Sequence, residues 1–324
     1  MTIEKSVLVP LDAEQTFALL TEPERLRRWQ GISSRVDLRA GGEYRWTMVP
    51  GANAGGTFVE IEPGRRLVFT WGWEGNEALP PGASTITITL EPADGGTMVS
   101  LVHEGLTEDQ EGGHLEGWTH YAGRLAAAAR DGDAGMDHWM DFPAEDLDQF
   151  KAAEASLALC QHMLRRMGPD AGSAQTPCAK YDVDQLVEHL MGSLTALGAA
   201  VGVTVNPAEG SPREVRVANA AQVVVEGWRR HGLEGTVPLA GGDMPAELGS
   251  RILSVEFLVH AWDFARATDQ ELPVYEGLAV YVLGLAQGLI APQMRDGDRF
   301  ADEVTVGADA DDIARLVAFT GREA

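Results

Sequence analysis

The chain has 324 residues, more than one average domain, and its 44% hydrophobic and 23% charged residues are ordinary for a folded soluble protein. Its 49 acidic residues outnumber 25 basic ones, and the net charge of −24 without a basic cluster argues against nucleic acid as a partner. No apolar run reaches membrane-spanning length and no leader-like segment opens the chain, so a cytoplasmic protein without a membrane partner is expected. Two cysteines, Cys160 and Cys178, are too few for a disulfide framework and are expected to be reduced.

The first 130 residues predict a mixture of strands and helices. Ser6–Val9 begins a strand, and Asp12 is a capping residue for the amphipathic segment that follows it. Five further stretches have strand-like composition or alternation: Tyr44–Val49, Gly56–Ile61, Leu67–Trp71, Ser84–Leu90 and Met98–His103. Turns rich in Gly and Pro separate them, which indicates an antiparallel meander. Helical spacing of apolar residues then predicts a long closing helix from about Gly113 to Ala129.

This order of elements resembles the helix-grip, START-like ligand-binding superfamily, in the branch related to the activator of a heat-shock chaperone ATPase. The stretches that carry the resemblance are Val7–Phe17, Gly56–Leu67 and Glu116–Trp118. It implies an α+β domain over residues 1–132 with a cavity between the sheet and the closing helix. The superfamily serves many ligands, so the resemblance does not identify one.

Aromatic residues of this region are candidates for the lining of that cavity. Trp118 is the leading candidate because the closing helix forms one wall in this fold, and Trp46 and Trp71 accompany it. Such side chains could enclose a small apolar or aromatic molecule. Packing in the core is the competing interpretation.

A polar, glycine-containing segment, Asp131–Gly135, marks the end of this domain, and residues 133–145 are predicted to form a linker. Apolar periodicity over residues 146–324 predicts helices near residues 145–167, 182–201, 215–231, 245–268 and 275–290. A short strand near Glu303–Val306 and a helix over Asp311–Phe319 are predicted to follow. We therefore expect an all-α bundle with a short carboxy-terminal strand and helix.

Glu256 and His260 lie four residues apart within the apolar stretch Ile252–Trp262. On a helix this spacing places both side chains on one face, and Asp263 joins the same stripe. An imidazole and a carboxylate suit zinc or a similar divalent ion, and His189, in a second helical segment, is the best candidate for a third ligand. Spacing alone leaves open a structural ion pair between Glu256 and His260 instead of a metal site.

Asp263 has two interpretations. It could orient a metal-ligating imidazole by accepting a hydrogen bond from its second ring nitrogen. Alternatively, it could form a salt bridge at the surface or helix end, with Arg266 as a candidate partner.

The second half resembles the DinB-like bundle of mycothiol-dependent maleylpyruvate isomerases and related actinobacterial metal-binding proteins. The matching stretches are Thr176–Cys178, Tyr181–Gly192, Glu256–Thr268 and Val317–Arg322. The resemblance implies that His189, Glu256 and His260 bind a divalent metal, with zinc or nickel as the candidates. It also implies mycothiol as a thiol cosubstrate. The isomerases have a different second domain, so their substrate residues cannot be transferred.

These observations favour a metal- and mycothiol-dependent transferase or isomerase that acts on a small hydrophobic or electrophilic molecule, with the START-like domain helping to bind it. The alternative is a non-enzymatic small-molecule-binding or stress-response protein with a structural or vestigial metal site. A co-chaperone role is a third interpretation. The sequence has no nucleophile elbow, phosphate-binding Gly-rich loop or dinucleotide fingerprint. Catalytic residues, substrate and oligomeric state are not assigned by the sequence.

Overall fold

The computed structural model describes residues 1–178, 180–239, 241–295 and 300–323. The chain divides into two compact units, Met1–Asp137 and His138–Ala324. Each unit has its own set of buried apolar side chains. None of the described helices is both long enough and apolar enough to cross a bilayer.

The first unit contains a seven-stranded sheet. Its strands are β1 (Thr2–Val9), β2 (Ser33–Val36), β3 (Glu43–Val49), β4 (Ala52–Glu62), β5 (Arg66–Trp73), β6 (Ser84–Ala93) and β7 (Gly96–Glu104). The spatial order is β1-β7-β6-β5-β4-β3-β2, and every neighbouring pair is antiparallel. The predicted meander is therefore confirmed. Strand β2 was not predicted, because four residues are too few to show an alternating pattern.

Three helices accompany the sheet: α1 (Ala13–Thr21), α2 (Pro23–Leu26) and α3 (Glu108–Asp131). Asp12 caps α1 as predicted, since its side chain accepts a hydrogen bond from the backbone N–H of Gln15. Helix α3 begins earlier than expected because Thr107 and Gln110 form a capping box. It ends at Gly132, whose φ of 85° is the left-handed conformation that favours glycine. Helix α3 packs against β1.

The second unit is mainly helical. Its helices are α4 (Gln149–Arg166), α5 (Val183–Ala200), α6 (Arg213–His231), α7 (Ala246–Ala267), α8 (Glu276–Leu289) and α9 (Asp312–Phe319). The first five match the predicted segments, and α9 matches the predicted terminal helix. Helix α7 is almost continuously buried from Leu253 to Ala265 and packs against α4, α5, α8 and α9. It is therefore the central helix of this unit, which explains why polar side chains on it are informative.

Two expectations for the second unit are wrong. The unit is not all-α, because β8 (Thr236–Leu239) and β9 (Gly242–Pro245) form an antiparallel hairpin between α6 and α7. The predicted strand near Glu303–Val306 is absent: the segment has no regular structure, although the backbone N–H of Val304 donates to the carbonyl of Ala318. Among the described residues no other strand lies beside this segment, so its strand-like composition has no pairing partner.

Candidate metal centre and ligand cavity

Helices α5 and α7 bring together the three side chains that were expected to bind a metal. Helix α5 begins at Val183 because Asp182 and Gln185 form a capping box, and His189 follows two turns later. Helix α7 carries Glu256 and His260 on one face, as their spacing predicted. One nitrogen from each imidazole and one carboxylate oxygen all lie within 4.8 Å of one another.

The distances within this group are compatible with a shared cation. The Glu256 Oε2 atom lies 3.7 Å from His189 Nε2 and 3.6 Å from His260 Nε2. Two ligand atoms that each bind zinc at about 2.1 Å with a tetrahedral angle lie about 3.4 Å apart. The observed separations are close to that value and exceed the range of a normal hydrogen bond. The separations are therefore compatible with two ligands of one ion, and they also lie within the range of an ion pair between Glu256 and the two imidazoles.

The Glu256 Oε2 atom is also buried and accepts no hydrogen bond from the described residues. A buried carboxylate oxygen that accepts no hydrogen bond is costly, and a cation bound between it and the two imidazoles would satisfy it. The His189 side chain is 35% exposed, whereas that of His260 is 6% exposed. Solvent or a ligand can therefore reach the group from the His189 side.

Asp263 is held between an imidazole and a guanidinium. Its Oδ2 lies 2.9 Å from His260 Nδ1, and Arg322 donates Nε–H to Oδ1 at 2.7 Å and a second N–H to Oδ2 at 2.8 Å. The alternative of a surface salt bridge with Arg266 is wrong: Asp263 is fully buried, and Arg266 lies over the ring of Trp262. With Nδ1–H donated to Asp263, the Nε2 atom of His260 faces Glu256.

The ionisation of these groups reflects burial and mutual contact. Burial lowers the pKa of His260, but Asp263 and Glu256 outweigh it and raise the value to about 9. Burial raises the pKa of Glu256 and of Asp263, yet the neighbouring His260 and, for Asp263, Arg322 hold each value below its usual range. Burial lowers the pKa of His189, and the nearby His260 and Arg322 add to this against the effect of Glu256. The group thus combines ionised carboxylates, a neutral His189 and a readily protonated His260.

Sequence reasoning missed two neighbours of this group. The ring of Tyr181 stacks on His189, with centroids 5.1 Å apart and an interplanar angle of 22°. Arg322 matched the family pattern, but its pairing with Asp263 joins positions 59 residues apart. Neither contact follows from a helical spacing, because both bring together separate elements.

The two cysteines of the chain have inactive thiols. Cys160 is fully buried on α4, and burial raises its pKa far above the usual range. Burial also raises the pKa of Cys178, which precedes α5. Cys178 does not belong to the group of ligand atoms formed by His189, Glu256 and His260. Both residues are therefore thiols and not thiolates near neutral pH.

The first unit contains an apolar cavity between its sheet and α3. Trp46 and Trp118 line it, whereas Trp71 is not among the lining residues and packs against both of those rings. Its volume of about 40 Å³ is enough for a water or two but well below the roughly 150 Å³ that accommodates benzene in an engineered cavity. Gln30 also lines the cavity, and the buried Nε2 of Gln30 and Nε1 of Trp46 donate to no described residue.

A hydrogen-bonded chain fixes Trp118. Its Nε1–H donates to Nδ1 of His103 at 3.0 Å, so the His103 proton lies on Nε2, 2.8 Å from the Ser84 hydroxyl oxygen. The Ser84 hydroxyl in turn donates to the carbonyl of Trp71 at 3.1 Å. Burial, together with the nearby His114, lowers the pKa of His103 to about 3, which keeps the ring neutral. His103 is thus a satisfied core histidine.

Comparison with known proteins identifies the first unit. The family described as "Activator of Hsp90 ATPase homolog 1-like protein" matches residues 10–130. An AHSA1-like protein from Rhizobium etli is 36% identical to this chain, covering 43% of it and 88% of that protein, with a TM-score of 0.36. DynU16, from the dynemicin biosynthetic locus, is 21% identical over 41% of this chain with a TM-score of 0.38, and the chain spans about half of its length (48%). Residues 10–130 form an AHSA1-like domain of the helix-grip type.

Two uncharacterized proteins of Mycobacterium tuberculosis strains are each 29% identical to this chain over 163 residues, which is 49% of the chain and 90% of their own length. This share of the chain is longer than the first unit, Met1–Asp137, so the match includes part of the second unit.

Proposed function

We propose that the second unit binds a divalent metal, zinc or nickel, through His189, Glu256 and His260, and that this site activates a thiol cosubstrate. The protein would then be a transferase or isomerase acting on a small hydrophobic or electrophilic molecule. The observation that carries the proposal is the buried Oε2 of Glu256, which lies 3.6 and 3.7 Å from two imidazole nitrogens and accepts no hydrogen bond from the described residues.

The donor set suits such a metal. Two imidazoles and one carboxylate form a typical set of protein ligands for catalytic zinc, which leaves a further coordination position for water or substrate. When bound, a divalent cation with an open position can hold a thiol in its nucleophilic thiolate form near neutral pH. The partial exposure of His189 gives a thiol-bearing molecule a route to that position.

The chain's own residues prepare this site. Glu256 supplies negative charge, and Asp263 accepts the Nδ1–H of His260 so that Nε2 is directed at Glu256. Tyr181 stacks on His189 and restricts rotation of that ring. Because neither Cys160 nor Cys178 has a lowered pKa, the chain does not supply an activated thiol itself. The nucleophile would therefore come from a separate thiol molecule, and the resemblance of the second half to DinB-like proteins favours mycothiol.

The AHSA1-like domain would bind the acceptor molecule. Its cavity is lined mainly by apolar side chains, which suits an apolar or aromatic molecule. At about 40 Å³ the cavity would have to widen for any molecule of the size of a benzene ring.

Metal analysis of the purified protein, before and after incubation with zinc or nickel, tests the first half of the proposal. The wild type should bind one equivalent, and His189→Ala and Glu256→Ala should each lose it. Matched controls are His231→Ala, an exposed histidine on α6, and Glu247→Gln, an exposed carboxylate on α7, which should bind metal as the wild type does. A wild type that takes up neither metal contradicts the proposal.

Consumption of mycothiol in the presence of a panel of electrophiles tests the second half. Turnover should require metal and should disappear in Glu256→Ala. If metal binds but no electrophile is consumed, the second candidate is favoured: a non-enzymatic protein that binds a small molecule in the first unit. The apolar cavity between the sheet and α3 is the observation that supports this alternative. Quenching of tryptophan fluorescence on titration with aromatic carboxylates would then measure that binding.

A further inference from the structure

Arg322 lies beyond the end of α9, close to the carboxyl end of the chain, yet its side chain reaches the interior of the second unit. It forms two hydrogen bonds with Asp263, from Nε–H to Oδ1 at 2.7 Å and from a terminal N–H to Oδ2 at 2.8 Å. The Arg322 side chain is 11% exposed, and that of Asp263 is fully buried. This bidentate pairing of a guanidinium with a carboxylate is among the strongest and most directional contacts available to side chains.

The backbone at this point is fixed by the end of α9. The backbone N–H groups of Gly321 and Arg322 donate to the carbonyls of Ala318 and Val317, at 2.9 and 3.0 Å. Gly321 has a φ of 91°, and a Cβ at this position would lie 2.7 Å from the side chain of Ala301, so glycine is required. The remaining terminal nitrogen of Arg322 donates to the Thr320 hydroxyl at 3.1 Å. The direction of the Arg322 side chain is therefore fixed by the turn that Thr320, Gly321 and Arg322 form at the end of α9.

Asp263 connects this turn to the candidate metal centre. One of its oxygens, Oδ2, lies within hydrogen-bond distance of both Arg322 and Nδ1 of His260. Without Arg322, the buried carboxylate of Asp263 would retain only His260 of these two partners and could rotate toward other hydrogen-bond donors. The Nδ1–H of His260 would then lose a fixed acceptor, and the imidazole would no longer be held with Nε2 directed at Glu256.

We infer that Arg322 is a positioning residue for the metal centre: through Asp263 it fixes the orientation in which His260 presents Nε2 to the cation. The inference deepens the proposed function and rests on it. Arg322 does not touch the group of ligand atoms itself, and its guanidinium is occupied by Asp263 and Thr320. Lysine could replace the charge but not the paired hydrogen bonds.

Zinc affinity, measured by competition with a chromophoric chelator, tests the inference. Arg322→Met should weaken binding by up to about 10- to 100-fold, the loss found when the direct partner of a metal-ligating histidine, here Asp263, is removed. Arg322→Lys should fall between Arg322→Met and the wild type. Arg315→Met is the matched control, because Arg315 lies on α9 and donates only to carbonyls of the preceding loop among the described hydrogen bonds. The control should bind zinc as the wild type does.

A double-substitution experiment separates positioning from general support of the fold. If Arg322 acts through Asp263, then Arg322→Met should weaken zinc binding much less in an Asp263→Asn background than in the wild type. A purely structural role would give the same loss in both backgrounds. Equal losses, or a folded Arg322→Met protein with wild-type affinity, would overturn the inference.

A measurement on the metal-free protein distinguishes this inference from the proposed function. By nuclear magnetic resonance, the His260 Nδ1–H should give a resonance that exchanges slowly with solvent in the wild type and in Arg315→Met, and is lost in Arg322→Met. If the wild type binds no metal but this dependence on Arg322 is found, the proposed function fails while the positioning contact is supported. If the resonance persists in Arg322→Met, the inference fails whether or not the metal binds.

Discussion

The pH dependence of metal binding provides a quantitative test of the site. In the metal-free protein the pKa of His260 is about 9, because Asp263 and Glu256 both stabilise its imidazolium form. A metal that binds through Nε2 must displace that proton. The pKa of His189 and that of Glu256 are both lowered, so at pH 7 neither side chain carries a proton that metal binding would have to displace. Binding should therefore release about one proton per zinc between pH 7 and 8.5.

The size of the pH effect on zinc affinity follows from the release of that single proton. Affinity should rise about tenfold for each pH unit well below pH 9, so that zinc binds about 50-fold more tightly at pH 9 than at pH 7, and the dependence should level off above pH 9. Isothermal titration calorimetry in buffers of different ionisation enthalpy measures the proton release directly. Asp263→Asn is an informative comparison: loss of the charge that raises the pKa of His260 should move the plateau to lower pH.

Two results would refute this reasoning. Release of two protons at pH 7 would mean that His189 is also protonated, although burial lowers its pKa. Affinity independent of pH over this range would mean that His260 does not bind the metal through the nitrogen that faces Glu256.

Further predictions concern stability, thiol reactivity and the first unit. In the metal-free protein His260 has a pKa of about 9 against about 6.5 when unfolded, so its contribution to the free energy of unfolding should be complete below pH 6.5 and lost as the pH rises to 9. Hydrogen-exchange protection factors of the α7 amides, which correct for the intrinsic effect of pH on exchange, should fall over this range. Unchanged protection factors would contradict the assignment. Iodoacetamide at pH 7.5 should leave Cys160 unmodified and react slowly with Cys178, whereas rapid alkylation of Cys178 would show an activated thiolate. Replacing Trp118 by Phe leaves Nδ1 of His103 without its hydrogen-bond donor. The free energy of unfolding of the first unit, measured by urea unfolding, should therefore fall by about 1–3 kcal/mol. A change within about 0.5 kcal/mol would show that this hydrogen bond is not needed for stability.

The regular elements could largely be predicted because their signals are local. Asp12 and the apolar periodicity of α7 act within one or two turns of chain, and the structure forms the expected helices at both places. The hairpin β8–β9 was missed because it is only two short strands, and Val237 is its one buried residue. The strand predicted at Glu303–Val306 was wrong. Its composition suits a strand, but strand formation depends on a neighbouring strand that the sequence does not specify.

In the candidate site too, contacts within one helix could be predicted from the sequence, whereas contacts between separate elements could not. The pairing of Glu256 with His260 follows from a spacing of four residues on one helix, and the helical pattern around His189, together with the family resemblance, indicated the third ligand. The contacts of Tyr181 and Arg322 depend on how separate elements pack, so no periodicity indicated them. Trp118 was the leading cavity candidate because of its place on the closing helix, and it does line the cavity; the sequence could not separate Trp46, which lines it, from Trp71, which does not.

The most direct test of the account is X-ray absorption spectroscopy at the metal edge of protein loaded with one equivalent of zinc. Wild-type protein should show two imidazole nitrogens and a carboxylate oxygen at about 2.0–2.2 Å from zinc, whereas His189→Ala and Glu256→Ala should give no zinc edge after the same loading. A spectrum that neither substitution changes, or a wild type that retains no zinc, would contradict the claim that these three side chains bind one cation.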